Sequence, residues 1–221
     1  MTGGGISGRG YSPWMDVDSV RAVLFDMDGT LVDSDASVER AWMAWAHRYN
    51  VDPVRVLAIA HGNPADSTVR ELCRDFDEAE VAEAAAFQLE MQYDDLADVV
   101  PTVGAHRLIK TLERLELAWA VVTSADRRLA ARRLGAVGLS VPVLVTVEDV
   151  GMGKPDPEGY LLAAQTLGVP PSSCLVVEDT EIGLEAARSA GAMTAAVKGL
   201  AADLRLDDLG QLAELLDTRL H

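Results

Sequence analysis

Lysine is scarce in this chain: among 221 residues only Lys110, Lys154 and Lys198 carry an ammonium side chain. All cations together number 19 against 35 carboxylates, a formal net charge of −16. Such a chain has no basic footprint for a nucleic-acid backbone or an anionic membrane surface, so neither partner is expected. A phosphorylated small molecule stays open, because one local cation or metal reverses the field at a site. Apolar runs of about 18 residues are also missing, which excludes a membrane-spanning helix from the expectations. Cysteine is limited to Cys73 and Cys174, far apart and without metal-ligand spacing. Free buried thiols in a reducing cytoplasm are therefore expected. The first 19 residues lack the apolar core of a secretory signal and contain Gly3-Gly4-Gly5 and Gly8-Arg9-Gly10. They read as a flexible tail.

What remains is ordinary for a globular protein, with 49% hydrophobic and 24% charged residues, and it excludes wholesale disorder. The length suits one large domain or a core with a modest insertion. Residues 21–26 read as a buried strand. From 35 to 98 the pattern is helical throughout. Val38, Trp42, Trp45 and Tyr49 recur at helical spacing, Pro53 opens a second helix, and two more are expected over 66–74 and 77–96. No β-like run occurs between Leu31 and Val100. After Pro101, strands at 118–123, 143–145, 174–177 and 192–197 alternate with helices at 104–115, 125–134, 157–167 and 182–190. A closing helix is expected near 211–216. Repeated strand–helix units predict an α/β fold, a Rossmann-like parallel sheet with helices on both faces. The expected core is 20–34 plus 99–221, interrupted by an all-helical insertion at 35–98.

The expected strands end in unusual residues. Ala22-Val23-Leu24-Phe25 runs directly into Asp26-Met27-Asp28-Gly29-Thr30. In an open α/β sheet the carboxyl ends of the strands face the ligand crevice. Two carboxylates one residue apart repel unless a cation or shared proton intervenes, which suits a metal-assisted site with a nucleophile and a proton carrier. A solvated Asp-rich turn accounts for the hexapeptide alone equally well. A second strand ends in Thr123-Ser124, an anion seat or a plain helix cap. Lys154 sits in Gly151-Met152-Gly153-Lys154-Pro155-Asp156-Pro157, a stiff loop that positions an ammonium, although a surface lysine also fits. A fourth strand end carries Glu178-Asp179-Thr180. Two acidic strand ends on one sheet edge offer hard oxygen ligands of the kind Mg²⁺ takes.

The series DMDGTLVDS, VVTSA, GKPDPEGY and VVEDTEIGLEAARSAG resembles the four motifs of the haloacid dehalogenase-like superfamily, in order, from Arg21 to about Val197. The resemblance implies that Asp26 is the nucleophile and Asp28 the general acid and base. Thr123, Ser124 and Lys154 would hold the transferring phosphoryl group. Asp26, the Asp28 backbone carbonyl and Asp179 would bind Mg²⁺, with Glu178 acting through water, and the helical insertion would be the family's mobile cap. The implied activity is phosphatase action on a small sugar or polyol phosphate, by a monomer or weak homodimer. Two resembling activities compete. A dehalogenase lacks the second aspartate, which is present here. A β-phosphoglucomutase-type phosphomutase has a histidine on the first cap helix where this chain has Val38, and a phosphate-gripping arginine where it has Ala65. Arg70 is a candidate to replace that grip. His61-Gly62 resembles the substrate loop of the sugar-phosphate branch, and a plain turn remains equally open. A non-catalytic binding protein would have lost a motif residue, and none is missing. Trp42 and Trp45 read as helical-block core rather than sugar platforms.

Overall fold

Ala22 to Phe25 is apolar at four successive positions, as expected of a strand covered on both faces. The computed structural model describes residues 17–60 and 63–218, and in it these residues form β1 (Ala22–Phe25). A short β2 (Val32–Asp33) follows, and then four helices: α1 (Asp35–Tyr49), α2 (Pro53–Ala60), α3 (Ala65–Leu72) and α4 (Glu78–Tyr93). The chain returns through β3 (Val100–Pro101) and continues as α5 (Ala105–Arg114), β4 (Ala118–Val122), α6 (Arg127–Ala136) and β5 (Leu144–Val145). It closes with α7 (Glu158–Leu167), β6 (Cys174–Glu178), α8 (Glu181–Ser189), β7 (Met193–Ala196), β8 (Leu204–Arg205) and α9 (Leu209–Asp217). Of the N-terminal stretch read as a tail, only 17–19 are described, and they make a 3₁₀ turn.

Six strands pair in the order β5-β4-β1-β6-β7-β8, all parallel. The α/β fold with a parallel sheet is thus the architecture the alternating pattern predicts. Side chains of β1 alternate between two cores: Val23 and Phe25 face one side with Trp119, Val121, Leu175 and Val177. Ala22 and Leu24 face the other, with Tyr160 and Ala163 of α7 and Ala186 of α8. Phe25 lies level with Val121 and Val177 on its two neighbours. Asp26, Thr123 and Glu178 are consequently drawn to one edge of the sheet, at its carboxyl end.

Two elements differ from the sequence reading. β2 and β3 form an antiparallel two-residue ribbon within the span that shows no β-like run, where the chain enters and leaves the helical block. β8 lies between the strand expected at 192–197 and the closing helix, where the sequence pattern predicts no strand, and is paired to β7. Both are too short to display alternation. The helical block has its own core, in which Trp45 is fully buried against Trp42, Tyr49, Val56, Val69 and Ala84. The Trp45 indole N–H donates to the Ala84 carbonyl at 3.0 Å, so the polar end of the ring is satisfied as well. Trp42 is almost as buried, and these rings are core residues of the block.

This placement makes a prediction. Trp45→Ala leaves an indole-sized void and removes the bond to Ala84, and should cost roughly 3–5 kcal/mol. Urea unfolding followed by circular dichroism measures it. A loss below about 1 kcal/mol would contradict a close-packed core in the helical block.

Candidate active site

The sheet edge concentrates charge in a small volume. Lys154 reaches from the loop before α7, its ammonium 2.5 Å from Asp26 Oδ1 and 2.7 Å from Glu178 Oε1. Both carboxylates and the lysine are buried. The Lys154 loop is thereby anchored to two strand ends, and the surface-lysine alternative falls away. Glu178 is fully buried and satisfied at both oxygens. Oε1 also accepts from the Tyr160 hydroxyl at 2.7 Å, while Oε2 accepts from the Thr180 hydroxyl at 3.0 Å and from the backbone N–H groups of Asp179 and Thr180. Burial alone would lift the Glu178 carboxyl, but Lys154 and these hydrogen bonds hold it below its ordinary value. Asp26 goes the other way. Its burial raises it well above the usual range, Lys154 opposes the rise, and the neighbouring carboxylates Glu178 and Asp179 add to it. Burial disfavours the Lys154 charge, yet Asp26 and Glu178 outweigh burial and raise the lysine.

Asp179 lies beside this triad. Lys198 contacts its Oδ2 at 2.9 Å. Its Oδ1 is buried with no hydrogen-bond partner among the described residues. Carboxylate oxygens of Asp26, Glu178 and Asp179 lie within 4.8 Å of one another. An orphaned buried carboxylate oxygen amid three hard-oxygen donors fits a divalent cation. Two glycines make this crowding feasible. Gly29 has φ +83°, and a Cβ there would lie 2.0 Å from Asp179 Oδ2. A Cβ on Gly183 would lie 1.7 Å from Glu178 Oε1. The glycines of the first and fourth motifs thus seat the acids.

Asp28 turns toward a different set of partners. Its Oδ1 accepts from the Ser34 hydroxyl at 2.7 Å and meets the Arg133 guanidinium, Nη1, at 2.8 Å. Thr123 is buried at the end of β4, its hydroxyl accepting from the Ala125 N–H at 3.0 Å. The helix beyond it begins two residues later than expected. Asp126 rather than Thr123 or Ser124 is the N-cap, accepting from the Leu129 N–H at 2.8 Å. The helix-cap alternative for the Thr123-Ser124 pair therefore does not hold.

A cavity of about 550 Å³ opens over these residues. Its floor includes Asp26, Asp28, Thr123, Ser124 and Lys154, and its opposite wall comes from the helical block. Val38 and Ala65 line it, as do Trp42, Gln88 and Gln92. Arg70 does not: its guanidinium pairs with Glu78, 2.7 Å between Nη2 and Oε2, on the exposed side of the block. His61 and Gly62 lie outside the described residues. The two cysteines are free and buried. No helix among the described residues is long and apolar enough to cross a membrane.

Sequence reasoning overlooked four side chains of this site: Ser34, Arg133, Tyr160 and Lys198. Arg133 carried a usable signal, since Leu129, Ala130, Arg133 and Leu134 are all buried on one face of α6. An arginine at an apolar-stripe position needs a buried partner.

Comparison with known proteins agrees with this geometry. Residues 20–191 match the family model described as haloacid dehalogenase-like hydrolase. Hexitol phosphatase A of Escherichia coli strain K12 is 37% identical over 198 residues, covering 89% of this chain and 92% of that protein. Validoxylamine A 7'-phosphate phosphatase of Streptomyces hygroscopicus subsp. limoneus is 36% identical, covering 77% of this chain and 82% of the other. Among solved structures, a hydrolase from Pseudomonas syringae superposes with a TM-score of 0.79 at 26% identity, covering 90% of this chain and 98% of that one. The chain therefore belongs to the haloacid dehalogenase-like hydrolase family, on its phosphoric monoester hydrolase side.

Proposed function

We propose that this protein is a Mg²⁺-dependent phosphatase that hydrolyses a small sugar or polyol phosphate through an aspartyl-phosphate on Asp26. The observation that carries the reading is the Asp26–Lys154–Glu178 triad, two of whose members, Asp26 and Lys154, line a cavity, next to the Asp179 oxygen that has no partner among the described residues. The cavity is large enough for a small sugar or polyol phosphate, and Asn63, Gln88, Ser124 and Arg133 set polar groups in its otherwise largely apolar wall. The names of the two phosphatase relatives point to the same substrate class.

The roles follow from position. An Asp26 carboxylate oxygen attacks phosphorus, forming an acyl phosphate as the ester P–O bond breaks. The leaving alkoxide takes a proton from the Asp28 carboxyl. Water then attacks the phosphorus of the acyl phosphate, passing its proton back to Asp28 and restoring the Asp26 carboxylate. Lys154 and the hydroxyls of Thr123 and Ser124 hold the phosphoryl oxygens in place through both transfers. Asp26, the Asp28 backbone carbonyl and Asp179 would hold Mg²⁺, with Glu178 contributing through water. When bound, the cation supplies positive charge against the charge spread over the transferring phosphoryl group. Glu178 also fixes the Lys154 ammonium, which donates to its Oε1 at 2.7 Å. The helical block, residues 35–98, acts as a cap that excludes water while the first transfer proceeds. A cytoplasmic enzyme, monomeric or weakly dimeric, is the setting this reading assumes.

Hydrolysis is favoured over phosphoryl mutation by the cavity wall. Val38 lines it and donates no hydrogen bond, Ala65 lines it and carries no charge, and Arg70 is committed to Glu78. Nothing in that set grips a second phosphate.

Phosphate release by purified variants tests the roles. Asp28→Asn should lower kcat on an alkyl phosphate by roughly 10²–10⁴-fold. Asp26→Asn should lower it further, because it removes the nucleophile and a cation ligand together. Unchanged turnover in the Asp26→Asn protein would overturn the mechanism.

The metal has its own check. EDTA should abolish turnover and added Mg²⁺ should restore it. Asp179→Asn should raise the Mg²⁺ concentration needed for half-maximal rate by at least about tenfold, as expected for loss of a charged ligand. Turnover that survives chelation would rule out a metal role for the acidic cluster.

A further inference from the structure

Asp28 is held in an asymmetric way. The Ser34 hydroxyl donates to Oδ1 at 2.7 Å, Arg133 Nη1 makes an ion pair with the same oxygen at 2.8 Å, and among the described residues no hydrogen bond is made to Oδ2. Arg133 lines the cavity and is held at its terminal nitrogens, while its buried Nε has no hydrogen-bond partner among the described residues. It is buried on α6, and its second terminal nitrogen, Nη2, donates to the side-chain oxygen of Gln92 on α4. The Gln92 amide in turn donates to Gln88 Oε1 at 2.9 Å, one turn earlier on the same helix, and both glutamines are buried. The seam between α4 and α6 is stitched beside this row by the Tyr93 hydroxyl donating to Asp126 at 2.6 Å and by Arg132 donating to the Tyr93 carbonyl.

Such a chain has a chemical consequence. A carboxyl that gives a proton to a leaving group and later takes one from water needs one oxygen free and a fixed orientation. Pinning Oδ1 with a hydroxyl and a guanidinium leaves Oδ2 as the proton-carrying oxygen. The guanidinium is a rigid planar fork, so a hydrogen bond to the Gln92 carboxamide on one nitrogen and an ion pair with the Asp28 carboxylate on the other together hold it in place. We propose that Arg133 is a positioning residue for Asp28, oriented by Gln92 of the helical block, so that the proton-transfer step depends on α4 being seated against α6. The proposal rests on the reading of Asp28 as general acid and base. In the first transfer the proton leaves Asp28 Oδ2 for the ester oxygen as the P–O bond breaks and the bond from Asp26 to phosphorus forms. Arg133 gives up no proton and touches no reacting atom.

The leaving group provides the test. An alkoxide needs the proton, whereas p-nitrophenolate or acetate leaves without it. The value of kcat/KM reports only the steps through transfer to Asp26. Arg133→Met should lower kcat/KM for glycerol 3-phosphate or a hexitol phosphate by roughly 10²-fold, the scale of general acid catalysis. The loss on p-nitrophenyl phosphate or acetyl phosphate should be at least about tenfold smaller. Arg133→Lys, which can serve only one of the two partners, and Gln92→Leu should fall between Met and wild type with the same discrimination. In an Asp28→Asn background, Arg133→Met should change the alkyl-to-aryl ratio by less than about twofold, since coupled residues are not additive.

Equal losses on both ester types would overturn the proposal by making Arg133 a structural residue. A full further loss in the Asp28→Asn background would overturn it by placing Arg133 on the substrate. Should Arg133→Met fail to fold, Gln92→Leu decides, because an equal effect on both ester types there also defeats the chain. If Asp28→Asn itself does not separate alkyl from aryl esters, the general-acid reading fails. If Asp28→Asn separates them and neither Arg133 nor Gln92 variants do, only the positioning role fails.

Discussion

Everything at the sheet edge depends on one buried ammonium. Lys154 lies between Asp26 and Glu178 at hydrogen-bond distance from each, with little solvent to share its charge. Taking ions out of water costs several kcal/mol apiece, and only well-placed partners offset it. Here the partners come from β1 and β6, adjacent strands whose register puts their ends side by side. Tyr160 and the backbone after Glu178 supply the remaining donors. The strand pairing, the stiff loop before α7 and the first turn of α8 are thus all constrained by a single charge.

The same arrangement leaves an imbalance that is useful. Three carboxylates, Asp26, Glu178 and Asp179, face Lys154 and a half-exposed Lys198, and one oxygen of Asp179 has no partner among the described residues. Burial and mutual repulsion lift both Asp26 and Asp179. A divalent cation would relieve both effects and return Asp26 to the charged form a nucleophile needs. In an otherwise acidic chain, this is also how a dianionic substrate can be drawn to the site. The helical block supplies the other half of the problem, a cavity wall whose glutamines and small apolar residues enclose a small molecule without adding a second cation grip.

Much of this was legible in the sequence, for physical reasons. A strand apolar at every position followed at once by acids or hydroxyls is costly as pure structure, and such strand ends together with the stiff Lys154 loop mark four of the site's corners. The parallel sheet followed from alternation. The ribbon of β2 and β3 and the strand β8 were not legible, because two residues display no period and their pairing is decided by tertiary neighbours. α6 starts two residues later than the sequence pattern predicts, since Ser124 competes with Asp126 as a cap in the sequence and only the fold selects the latter. Arg133 stands among Arg127, Arg128 and Arg132, whose side chains are exposed, so residue type alone does not single it out. Its place on the apolar stripe of α6 was the distinguishing mark, and its partner, 105 positions away at Asp28, exists only in the folded chain.

The central claim is covalent: phosphorus passes through Asp26. Acyl phosphates are reduced by borohydride to the alcohol, so the phosphorylated aspartate would become homoserine. The protein should be quenched in acid during steady turnover, treated with borohydride and mapped by peptide mass spectrometry. The account predicts homoserine at position 26, dependent on substrate and absent without it. Conversion at another aspartate, or none at position 26 while phosphate is being released, would contradict it.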